Sequence, residues 1–121
     1  MDSVLIICDK GAFGTNSANE AIRIGSGFLA LGEDIKCKII LIGDAVNFLN
    51  RRLDPAQVGM DSLDSGLEMA DLTDMELILV QESLKERGMD KSDLIDYARL
   101  QIKSLDEVAK ITDGFDAIFK I

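Results

Sequence analysis

A strand-to-helix corner, two cysteines and no histidine define the chemistry open to this chain. The corner runs from Glu76 to Asp90. A short apolar strand, Leu77 to Val80, leads directly into the helical pattern Gln81 to Arg87 and stops at Gly88. In open α/β sheets, ligands gather at the carboxyl ends of the strands, where helix N-termini aim free N–H groups. This corner offers Val80, Gln81, Glu82 and Ser83, none of which is a cysteine or histidine. Without histidine, serine–histidine and cysteine–histidine catalysis are excluded, and so is the commonest metal ligand. Cys8 and Cys37 are too far apart for a CxxC pair or a cysteine zinc site, so they read as reduced core thiols. Neither a metal nor a cofactor is expected.

The remaining chemical candidates are weak. Cys8 ends the first strand beside Asp9 and Lys10, which puts it at the same sheet edge as Val80 in a parallel sheet. It is the one candidate nucleophile, although the run Val4, Leu5, Ile6, Ile7 before it argues that it simply continues a buried strand. The loop Asp9 to Thr15, with Gly11, Phe13 and Gly14, could present backbone N–H groups to an anion, but it lacks the lysine of a P-loop and the dinucleotide glycine fingerprint. Glu82 and Glu86 read as a solvated helix face, and Asp71, Asp74 and Glu76 as a polar approach to a strand. Met60, Met69, Met75 and Met89 read as core or interface filler.

The elements that must position these residues follow from the pattern. Apolar, β-branched runs alternate with helical spacing, the signature of βαβ units. Val4–Cys8, Ile35–Ile42, Leu77–Val80, Arg99–Lys103 and Phe115–Ile121 read as strands. A helix opens near Thr15–Ser17, where Ser17 and Glu20 have capping-box spacing, and runs to Gly32. Ala18, Ala21, Ile22, Gly25, Phe28 and Leu29 would face the sheet, with Gly25 and Gly27 explained by close packing. A short helix is expected over Ala45–Asn50, a loop over Arg51–Met60 around Pro55, a helix over Ser62–Leu72, and a last helix over Leu105–Thr112 opened by Ser104 and Glu107. With 121 residues, 47% of them hydrophobic, one domain spanning residues 1–121 is expected.

Charge and targeting narrow the partners. The 22 acidic and 13 basic residues leave a net charge of -9, which repels nucleic-acid backbones and suits a partner with a basic face. Arg51 and Arg52, the one adjacent basic pair, read as a solvated loop. Asp2 stands where a signal peptide would be basic, and no apolar run approaches the roughly 20 residues of a membrane helix, so a cytoplasmic chain is expected.

Four stretches in this order resemble the DsrE/DsrF-like family, which includes the sulfur-relay proteins TusD and TusC. They are Ala12–Phe13–Gly14–Thr15, Gly43–Asp44–Ala45–Val46, the run Ser83 to Asp90, and Phe115 to Phe119. The Ser83 to Asp90 run is most similar to the TusC/DsrF branch. The resemblance implies a three-layer, flavodoxin-like α/β sandwich with a mainly parallel sheet of about five strands. It also implies assembly into trimers or heterohexamers, with itself or with DsrE/DsrF-type homologues, and the handling of sulfur from a persulfide carrier protein. In the active branch a cysteine just before the helix that follows the third strand carries the sulfur. The position matching it here is Val80, whose isopropyl group cannot form a persulfide. The expected role is therefore a noncatalytic, oligomeric subunit of sulfur trafficking. The alternatives are a sulfurtransferase using Cys8, or a small-molecule binding module. The expected crevice is formed by Cys8, Asp9, Gly11, Phe13, Gly14, Thr15, Gly43, Asp44, Val80, Gln81, Glu82 and Ser83.

Overall fold

Val4, Leu5 and Ile6 are successive strand residues, and all three are fully buried, which requires cover on both faces of their strand. The computed structural model, which describes residues 2–11, 15–32, 34–54 and 62–121, supplies that cover. Strands β1 (Ser3–Cys8), β2 (Lys36–Leu41), β3 (Glu76–Val80), β4 (Leu100–Lys103) and β5 (Ala117–Lys120) form one sheet in the order β4-β3-β2-β1-β5. Every pairing is parallel. The helices are α1 (Ser17–Ala30), α2 (Asp64–Leu72), α3 (Gln81–Glu86) and α4 (Leu105–Asp113), with 3-10 turns over Gly43–Leu49 and Lys91–Asp93.

The two faces are unequal. Alternate strand residues Val4, Ile6, Cys8, Ile39, Leu41, Leu77 and Leu79 pack with α1, α2, α3 and the first 3-10 helix. Their neighbours in the pleat, Leu5, Ile40, Ile78 and Val80, meet Val108 of α4, with Ile111 and Phe115 beside it. The chain thus steps outward from β1 to β4 with its helices on one face. It then returns over the other face through α4 to set β5 against β1, as right-handed crossovers require. Strands β3 and β4 send their helices to opposite faces, so their carboxyl ends form the switch point where open α/β sheets keep their crevice.

The expected elements appear, with corrections. In α1, Ala18, Ala21, Ile22 and Gly25 are buried as the spacing predicts. The Ser17–Glu20 capping box is not made, because Asn16 is the N-cap and Ser17 is already the first helical, buried residue. The box does form at Ser104 and Glu107, each bonding the other's backbone N–H. The helix expected from Ala45 is a 3-10 helix beginning at Gly43. The part of the expected loop around Pro55 and Met60 lies outside the described residues.

Gly25 and Gly27 separate cleanly. A Cβ on Gly25 would lie 2.6 Å from Met75 Cε and 3.2 Å from Cys37 Sγ, so this glycine admits the sheet to the helix. Gly27 has nothing within 4 Å of such an atom, and close packing is not its reason. Gly27→Ala is accordingly expected to stabilise the protein by about 0.5–1 kcal/mol through helix propensity. Gly25→Ala gains the same propensity but must displace the fully buried Met75, an overpacking cost of about 1–3 kcal/mol, and is expected to be destabilising. Urea unfolding of the two variants side by side checks this; equal stabilities would refute the packing argument.

Candidate functional site

At the carboxyl edge the chain must turn sharply from each strand, and the turns are tied to one another. After β2, Gly43 takes φ +62, a conformation open to glycine at no steric cost, and its N–H donates to Ser83 Oγ at 2.9 Å. Ile42 N–H donates to the Cys8 carbonyl at 3.0 Å, which locks the β1 and β2 exits together. Arg87, four residues beyond Ser83, folds back along α3. Its Nη1 donates to the Ser83 carbonyl at 3.0 Å, while Nε and Nη2 donate to Asp44 Oδ1 at 3.1 and 2.7 Å. A Cβ on Gly11 would come within 3.2 Å of Asp44 Cβ, so the β1 loop lies directly against this hub. Thr15 Oγ1 donates to the Gly11 carbonyl and closes that loop.

Asp9 points elsewhere. Its Oδ2 pairs with Lys120 of β5 at 2.8 Å, and the hydrogen bond from that ammonium holds its carboxyl below the ordinary range. Glu82 reaches across the switch point, and both its carboxylate oxygens accept from Leu105 N–H, at 3.1 and 3.2 Å. The anion-binding start of α4 is thereby occupied by a side chain of the protein itself. Glu86 turns to Arg87 instead, so the two glutamates do not form a carboxylate pair.

The two residues of most chemical interest are kept apart. In the sheet register Cys8 pairs with Leu41 and Leu41 with Leu79, so Cys8 shares a face with Leu79 and not with Val80. Cys8 lies under α1, fully buried, its Sγ donating weakly to the Ser17 carbonyl at 3.9 Å. Burial, reinforced by the charge of Asp9, pushes its thiol up to about 12. Val80 is equally buried, on the α4 side. The expectation that both line one crevice is therefore corrected: they end at the same edge but face opposite cores. Gln81 is exposed, Ser83 is buried with its hydroxyl engaged, and Phe13 and Gly14 lie outside the described residues. Asp9, Gly11, Thr15, Gly43, Asp44, Glu82 and Ser83 do gather at the edge.

Sequence reading missed Arg87 and Lys120 as edge residues. The spacing of Ser83 and Arg87, one helical turn apart, was the available signal for the first. Asp71 and Asp74 both pair with Arg99, and Glu76 with Lys38. Among the described residues, no group of three or more cysteines, aspartates or glutamates is placed to hold a metal ion. As chemistry, the edge presents a serine without a base and an arginine neutralised by Asp44, an arrangement suited to holding shape more than to reacting.

The model of the DsrE/DsrF-like family matches residues 2–121. The chain belongs to the DsrE/DsrF-like family. Its solved structural neighbours share the fold: the ychN protein of E. coli superposes with a TM-score of 0.81 at 21% identity, covering 100% of both chains. MTH1491 of Methanobacterium thermoautotrophicum, a protein of unknown function, gives 0.68 at 16% identity over 98% of this chain and 97% of that one. BT1422 of Bacteroides thetaiotaomicron, also of unknown function, gives 0.65 at 14% identity over 99% and 95%. No protein of curated function matches the sequence. As in the α/β frame of those neighbours, the five parallel strands of this DsrE/DsrF-like chain carry helices on both faces, and no helix among the described residues is long and apolar enough to cross a membrane.

Proposed function

We propose that this DsrE/DsrF-like chain is a noncatalytic subunit of sulfur trafficking in the cytoplasm, nearest the TusC/DsrF branch, which acts by assembly and partner docking. The observation that carries the reading is Val80. The position matched to the family's sulfur-carrying cysteine bears an isopropyl group, closed over by Leu5, Ile40, Ile78 and Val108. A persulfide relay needs an accessible thiolate, and the thiol that does reach this edge, Cys8, is buried with its pKa pushed up to about 12. The Cys8 sulfurtransferase alternative is disfavoured on both counts.

Assembly is supported by apolar surface along the β5 side. Ile118 and Phe119 are about half exposed on this edge strand, Phe119 stacks on Phe28 of α1 with ring centroids 6.2 Å apart, and Leu31 is 74% exposed. Unpaired edges and exposed apolar groups of this kind are covered in stable assemblies. Light scattering at micromolar concentration is expected to show a trimer or larger, built from copies of this chain or shared with homologues; a strict monomer, alone and with such homologues, counts against assembly.

The chemical half of the proposal is tested by incubation with a persulfide donor followed by intact-mass spectrometry. No stable addition of one sulfur is expected. Addition that disappears in Cys8→Ser would overturn the noncatalytic reading.

A further inference from the structure

Away from the carboxyl edge, a groove opens between α2 and residues 94–98. It consists of two adjoining cavities of about 420 and 520 Å³, with Asp96, Tyr97 and Ala98 as their common wall. The first is floored by Leu94, Ile95, Leu100 and Ile102. Leu100 and Ile102 alternate along β4, which is the last strand of the sheet on this side; Leu100 N–H is turned back to the Tyr97 carbonyl at 3.2 Å, and the edge beyond it has no neighbouring strand among the described residues. Such an edge can pair an extended chain while alternate side chains are read by the adjoining pocket. Tyr97 is fixed in advance, because its hydroxyl donates to the Met75 carbonyl at 2.6 Å.

The second cavity differs in charge. Leu67 and Tyr97 are flanked by Asp64, Glu68, Asp71 and Asp96. Of the nearby cations, Arg99 is held by Asp71 and Asp74, and Lys91 lines the first cavity only and not the acidic second one. Asp64, Glu68 and Asp96 are exposed and have no lysine or arginine partner among the described residues. Asp64 and Glu68 sit four apart on α2, a like-charge spacing that costs helix stability until a cation neutralises it. An apolar floor, an open strand edge and an unneutralised acidic rim are complementary to one kind of occupant.

We propose that this groove docks an extended segment of a partner protein that carries lysine or arginine residues around an apolar anchor. The anchor sits on Ile95, Leu100 and Ile102, and its basic neighbours meet Asp64, Glu68 and Asp96. A second copy of this chain would bring its own acidic surface to an acidic rim, so self-assembly falls to the apolar β5 side and not to this groove. A small cation has no use for the apolar floor. The inference adds a partner's chemistry to the docking reading, and its test contains no sulfur chemistry, so its failure leaves the absence of sulfur transfer untouched.

The test is fluorescence anisotropy with two labelled ten-residue peptides of equal apolar content, one bearing lysine and arginine at alternate positions, the other glutamate. The basic peptide is expected to bind, more weakly as salt rises, and amide chemical-shift changes are expected at residues 94–102 and along α2. The triple variant Asp64→Lys, Glu68→Lys, Asp96→Lys is expected to weaken binding at least tenfold. A control of equal net charge, Glu20→Lys, Asp106→Lys, Asp113→Lys, is expected to lose less than threefold. Equal loss in both variants would reduce the effect to net charge and overturn the proposal. So would absence of binding, shifts confined to the carboxyl edge, or self-association lost only in the groove variant.

Discussion

Alkylation of Cys8 in the folded protein at pH 8 is expected to run at least a thousandfold slower than alkylation of the same residue in the unfolded chain. The thiolate is the reacting species, and raising the thiol from 9.0 to about 12 lowers its fraction by about three powers of ten. Zero exposure adds a steric block, so the reaction must wait for local or global opening. Cys37, pushed by burial to about 11, is an internal comparison with a penalty of about a hundredfold from ionisation alone. A quenched iodoacetamide time course, read by peptide mass spectrometry with and without guanidinium, measures both sites at once. Rates that climb with urea in step with unfolding would identify opening as the limiting event. A native Cys8 rate within tenfold of the unfolded one would return this thiol to the list of sulfur acceptors, because attack on a persulfide draws on the same thiolate.

That result turns on a point the sequence could not settle. The strands were legible because four apolar runs, and one alternating run at Arg99–Lys103, are set apart by helical spacing and loops, and the sheet-facing side of α1 was legible because Ala18, Ala21, Ile22 and Gly25 recur with its period. That Cys8 and Val80 reach one edge followed from parallel strands alone. Their facing did not, because it depends on register: Cys8 aligns with Leu41 and Leu79, and Val80 is one residue further on. A step of one residue reverses the face. The hub of Asp44, Ser83 and Arg87 was half visible for a similar reason. Its members stood in recognisable motifs, but the positive φ of Gly43 that brings the β2 exit to Ser83 is a property of the folded turn. The capping boxes show the same limit. Ser17–Glu20 and Ser104–Glu107 have identical spacing, yet only the second begins outside its helix; in the first, Ser17 is itself the buried first residue of α1, and the cap falls to Asn16.

Stability is expected to fall as pH rises above 9, with the two buried thiols as its main source. Below pH 9 both the folded and unfolded states keep these protons, and the thiols contribute no pH dependence. Above it the unfolded chain ionises each cysteine while the folded chain keeps Cys8 protonated to about 12 and Cys37 to about 11. The unfolded state then binds fewer protons than the folded state, so the free energy of unfolding decreases, by about 1.4 kcal/mol per pH unit for each thiol. At pH 10.5 the loss amounts to about 2 kcal/mol per cysteine and about 4 kcal/mol for the pair, a large share of the stability of a domain this size. Tyr97, whose phenol is raised by burial, acts in the same direction. Net negative charge adds repulsion, but equally in any variant that leaves charge unchanged. The double variant Cys8→Ala, Cys37→Ala separates these contributions: it starts about 1–2 kcal/mol less stable at pH 8, because two small cavities replace packed sulfur, and then loses stability far more slowly. Urea unfolding midpoints of the two proteins should therefore meet at about pH 9.5 and cross, leaving the double variant the more stable of the two at pH 10.5. Parallel curves would mean that the thiols ionise without unfolding, and would open the β1 end of the sheet to solvent in just the way a reactive Cys8 requires.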